Sequence, residues 1–115
     1  MPSESVDLRP GILDLLELLS SRDRQLEYER SVPHVAIPTE LTCMWFDDQY
    51  VPESESFKRC FSQEELAAMA AFNRYFDDQQ KDFPEDTGSI GHWLTTDVWQ
   101  GVMSEASKAL SVLRP

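Results

Sequence analysis

The sequence holds 115 residues, 41% of them hydrophobic and including three Trp, three Tyr and six Phe, a composition that supports one domain with its own core and excludes a disordered chain. Ten Lys plus Arg stand against 21 Asp plus Glu, a formal net charge of −11, which argues against nucleic acid or an anionic membrane as partner, because both are bound by neutralising negative charge. The longest apolar-rich stretch, Ile12 to Leu19, is broken by Asp14 and Glu17, so it serves neither as a signal core nor as a membrane span.

The first predicted element is a helix. Pro10 suits a first turn, and Ile12, Leu15, Leu16, Leu19 and Leu26 follow the spacing of one buried stripe, which Leu13 and Leu18 widen. Ser20-Ser21 is a point of interruption, and Arg22 to Arg30 is too charged for a buried strand and reads as a continuation of the helix. Residues 1–8 lie outside this pattern and are the stretch open to disorder. From Ser31 to Pro38 the two prolines favour an extended passage. Leu41, Cys43 and Trp45 then alternate as in a strand, yet Pro38-Thr39-Glu40-Leu41 is also an acceptable helix start, and a short helix is the preferred reading.

Ser62-Gln63-Glu64-Glu65 matches a capping box, with Phe61 and Leu66 placed as a hydrophobic staple. Leu66, Met69, Phe72 and Phe76 carry a helix from about Ser62 to Lys81, stopped before Pro84. Asp86-Thr87-Gly88-Ser89 reads as a turn. A last helix starts near Ser89 or at Thr95-Thr96, with Trp99, Val102, Met103, Ala106, Leu110 and Leu113 as its stripe. Gly101 inside that helix costs about 1 kcal/mol relative to Ala and points to close packing against a neighbour. The expected fold is mainly α: a single domain over residues 1–115, built as a small irregular bundle of three to four helices with an extended Pro-rich passage. The alternative is an α+β arrangement with a short hairpin around residues 33–46.

No phosphate-binding glycine loop, nucleophile elbow, H-E-x-x-H or paired C-x-x-C occurs, so no catalytic residue is assigned and no cofactor is expected. A Cys2His2 metal site from His34, Cys43, Cys60 and His92 fails on spacing: the ligands are 9, 17 and 32 residues apart, with no close pair. Two isolated thiols fit a reducing compartment, and the protein is expected to be cytoplasmic.

Charge is unevenly spread. Residues 1–57 carry 12 acids and four bases, residues 58–115 nine and six. No Lys or Arg lies between Arg30 and Lys58, a run that holds Trp45, Phe46, Asp47, Asp48, Tyr50, Glu53 and Glu55. These seven are the candidate partner-binding residues, since aromatic anchors and steering carboxylates suit a basic protein surface; Trp45 and Phe46 fit a core equally well. The leading expectation is a non-catalytic acidic binding protein for a basic protein partner, of the kind represented by immunity-type inhibitors of toxins. Two alternatives are a small enzyme or ligand-binding domain with a pocket of His34, His92, Asp47 and Tyr50, and a homo-oligomeric structural protein.

Overall fold

In a computed structural model, residues 7–32, 35–85 and 89–114 are described. Among them are seven α-helices and no strand. Helix α1 (Arg9–Ser20) has Pro10 in its first turn and buries Ile12, Leu15, Leu16, Leu18 and Leu19. Ser21 then turns extended, and its hydroxyl accepts the N–H of Arg24, so the residue that ends α1 also caps α2 (Arg22–Ser31). The interruption expected at Ser20-Ser21 and the helix expected beyond it are both present. Met1 to Val6 lie outside the described residues. Leu8 is tied down, its N–H donating to Cys60 Sγ at 3.5 Å.

Pro33 and His34 also lie outside the described residues, and the passage expected to be extended to Pro38 gives way earlier to α3 (Ile37–Cys43). Pro38 sits in its first turn, where a missing N–H leaves no helical bond unmade. Ile37, Leu41 and Trp45 are all fully buried while Cys43 is exposed. The period is therefore four and not two, and the hairpin considered for residues 33–46 is replaced by helix. Beyond Cys43 the chain widens into a six-residue π-helix, Met44–Gln49, closed by a bond from the Tyr50 N–H to the Trp45 carbonyl at 3.1 Å.

Helix α4 (Glu55–Arg59) is short, capped by Ser54, and delivers Phe57 to the core. Helix α5 (Gln63–Gln79) starts from the capping box: the Glu65 N–H donates to Ser62 Oγ, and the Ser62 N–H donates to Glu65 Oε1. It tightens into a 3-10 turn, Gln80–Asp82, before Pro84. Asp86, Thr87 and Gly88, read as part of a turn, lie outside the described residues. Both proposed starts of the last helix are used: α6 (Ile90–Trp93) follows Ser89, and Thr96 caps α7 (Asp97–Leu113). Seven helices thus replace the expected three to four, because Ser21, Ser54, Ser62 and Thr96 each restart the chain at a cap.

Helix α7 packs against both α1 and α5, and these three long helices form the scaffold; α2, α3 and α6 meet one another beside it. The molecule measures 45 × 26 × 25 Å. One core runs through all of it, with Phe76, Phe83, Trp93 and Trp99 linked by ring contacts in which Phe83 and Trp99 each touch the other three. Two polar ties cross it. Buried Gln25 donates through Nε2 to the carbonyls of Leu18 and Leu19 at 2.9 and 3.0 Å, and its Oε1 accepts from Trp99 Nε1 at 2.9 Å. Arg9 donates to Glu65 Oε1 at 2.7 Å and to the carbonyls of Cys60 and Leu113 at 3.3 Å, joining the start of α1 to the start of α5 and the end of α7.

Candidate functional site

The seven residues singled out for partner binding divide into two sets once folded. Trp45 is fully buried. Its indole Nε1 donates to Asn73 Oδ1 on α5 at 3.0 Å, one face stacks on Tyr50 at 4.7 Å, and Phe72 meets it edge-on at 4.8 Å. Phe46 is half-buried, 4.9 Å from Phe76. Tyr50 is half-buried and also meets Phe57 edge-on at 5.6 Å. Burial, then the nearby Glu53, push its hydroxyl above the ordinary value, with Arg74 opposing. The aromatics are thus the roots of the segment.

The carboxylates are its outer face. Asp47, Asp48, Glu53 and Glu55 are all exposed. Glu55 pairs with Lys58 at 3.6 Å. Among the described residues Glu40, Asp47, Asp48 and Glu53 have no ion-pair partner, whereas most of the chain's cations are paired with carboxylates. The field they create is felt by Cys43. Desolvation first, then the charge of Asp47 and a hydrogen bond to it, then Glu40 and Asp48, push its thiol above the ordinary 9.0. Cys43 is exposed yet poor in thiolate, the opposite of what a nucleophile requires.

Docking of Phe46 on Phe76 sets the π-helix beside the second half of α5, where Asp77 and Asp78 are also exposed. Both acid pairs fall in the last turn of a helical run, Ile37–Gln49 for one and α5 for the other. Carboxylates are disfavoured there by the negative end of the helix dipole, typically by about 0.3–1 kcal/mol each.

The side chains of the alternative pocket are placed differently. His34 is outside the described residues, His92 is exposed on α6, Asp47 points to solvent, and Tyr50 lies against Trp45. A cleft of about 540 Å³ opens between α1, α2 and the π-helix, and Asp47, Tyr50 and His92 do not line it. Its walls come from Asp14, Glu27, Tyr28, Met44 and Gln49 among others, none of them marked by a motif. The one signal in the sequence was the Ser20-Ser21 break that parts α1 from α2. Among the described residues no group of three His, Cys, Asp or Glu side chains is placed to hold a metal ion. No helix there is long and apolar enough to cross a membrane, and Val35 and Val112 are the exposed large hydrophobic residues. Comparison with protein-family models, curated proteins and solved structures finds no match to this chain.

Proposed function

We propose that this chain is a non-catalytic binding protein that engages a basic protein partner through the exposed carboxylates of the π-helix and the loop after it, in the manner of an immunity-type inhibitor acting in the cytoplasm. The observation that carries the reading is the state of Asp47 and Asp48. They stand in solvent, without an ion-pair partner among the described residues, at the helix end least favourable to them. Asp47 has only the hydrogen bond of the Cys43 thiol in return, and a residue that breaks a local rule with so little compensation is where function is sought. The support beneath them is rigid, since Trp45 is held by a hydrogen bond and two ring contacts. A π-helical turn is itself rare and concentrated at functional sites. Asp47, Asp48, Glu53 and Glu55 supply the charge, and the accessible edges of Phe46 and Tyr50 the apolar contact, with Trp45 as their foundation. Two cysteines well separated in sequence, Cys43 and Cys60, suit a reducing compartment.

The test compares the wild type with the Asp47→Lys, Asp48→Lys double variant as baits in native lysate, washed with rising salt. The wild type is expected to retain a basic protein that leaves at about 0.5 M salt, where exposed charges are screened, and the double variant to lose it at low salt. Retention of the same protein by both baits, with the same salt profile, would remove this surface as the site.

A further inference from the structure

The cleft beside the π-helix joins an apolar floor to an acidic rim. It has a volume of about 540 Å³, within the range of sites that hold ligands. Its inner lining is apolar: Leu15 and Leu18 are buried, and Met44 and Tyr28 half-buried. One wall is the π-helix itself. Gln49 Oε1 stands 2.6 Å from where a Cβ on Gly11 would be, so the absence of a side chain at Gly11 lets the π-helix close down on α1. The rim carries Asp14 and Glu27, both exposed and neither in an ion pair among the described residues. The one cation in the lining, Arg24, is engaged by Glu17, which also holds Arg114. An apolar floor beneath unneutralised carboxylates matches an aliphatic stem that ends in a positive charge, the form of an arginine or lysine side chain.

We infer that this cleft seats an arginine or lysine side chain of the basic partner, its stem on Leu15, Leu18, Met44 and Tyr28 and its charged head against Asp14 and Glu27. The inference rests on the reading of the acidic surface given above. Met44 and Gln49 of the cleft and Asp47 and Asp48 of that surface belong to the same six residues, so one partner spans both. A long cationic side chain in a partly enclosed pocket is a common energetic centre of protein interfaces.

Tetra-arginine is the probe, with tetra-citrulline as the control that keeps the stem and removes the charge. Each is titrated into isotopically labelled protein and followed by NMR. Tetra-arginine is expected to shift the methyl signals of Leu15, Leu18 and Met44, and tetra-citrulline to leave them in place. The double variant Asp14→Asn, Glu27→Gln, at two exposed positions, is expected to weaken the methyl-reported Kd about tenfold while the Asp47 and Asp48 amide shifts persist. Still methyls with moving Asp47 and Asp48 amides would overturn the cleft and leave the acidic surface standing. Equal methyl shifts with tetra-citrulline would overturn it as well, since charge would then not be selected. No shift at either place would overturn both readings together.

Discussion

Gln25 sits in a helix in which six of ten residues are charged, where nothing in its neighbours marks it as different. Folding turns it inward, because the break at Ser21 swings the first turn of α2 over the last carbonyls of α1. Replacing it by Leu keeps its bulk but strands the Trp99 N–H and takes a donor from the Leu19 carbonyl and from the Leu18 carbonyl, which keeps the Ser21 N–H, and buried groups without partners are costly. Gln25→Leu is expected to lower unfolding free energy by about 2–4 kcal/mol in urea titrations; a loss under about 1 kcal/mol would show that the network contributes little. Glu65, by contrast, was visible as a capping residue, but its second partner was not. The Arg9 guanidinium, reinforced by the Ser62 N–H, holds its carboxyl below the ordinary 4.5. A depressed carboxylate stabilises the fold above the unfolded value and ceases to do so as pH falls through the folded one. Glu65→Gln is therefore expected to cost about 1–2 kcal/mol at pH 7, with the gap to wild type closing below 4.5. A gap that stays constant into acid would exclude the ion pair as its source.

At the scale of elements, caps and stripes were legible because they are local. The capping box at Ser62, the cap at Thr96 and the buried stripe of α7 follow from residues within a turn or two of one another, whereas Ser21 read only as an interruption and Ser54 carried no reading. The approach of α7 to α5 was hinted at by Gly101 and is now specific: a Cβ there would overlap the Tyr75 hydroxyl. Gly101→Ala gains about 1 kcal/mol of helix propensity but must displace that ring, and net destabilisation is expected in thermal melts. In a Tyr75→Phe background the hydroxyl overlap is gone and only a close contact with the ring Cζ at 3.3 Å remains, so the same substitution is expected to be better tolerated by roughly 1 kcal/mol. Equal effects in both backgrounds would mean that the ring moves aside freely. The π-helix was the least legible element. The chain that leads into it alternates like a strand over Leu41, Cys43 and Trp45, and its wider turn places Trp45 against Asn73 of α5, 28 residues away in the chain.

For the whole molecule, the net charge of −11 works against compactness, since like charges crowd as the chain folds. Most cations are already engaged, so the cost falls on the acids without an ion pair among the described residues, and Asp47 and Asp48 stand side by side among them. Asp47→Asn with Asp48→Asn is accordingly expected to raise stability by about 0.5–1 kcal/mol at low ionic strength, a gain that shrinks at about 0.5 M salt. A destabilised double variant at low salt would mean that these carboxylates serve the fold itself.

From the sequence alone came the helical class, the acidic composition, the caps at Ser62 and Thr96 and the concentration of charge between Arg30 and Lys58, because each depends on composition or on residues a few positions apart. Which face of that stretch turns inward was left to the tertiary structure. Trp45 and Phe46 could serve core or interface equally well by chemistry, and only α5, offering Asn73, Phe72 and Phe76, draws one fully and the other partly inside. The cleft of Asp14, Glu27, Tyr28 and Met44 belongs mainly to the fold: the Ser20-Ser21 break parts α1 from α2, but only the tertiary structure brings Met44 and Gln49 of the π-helix beside them.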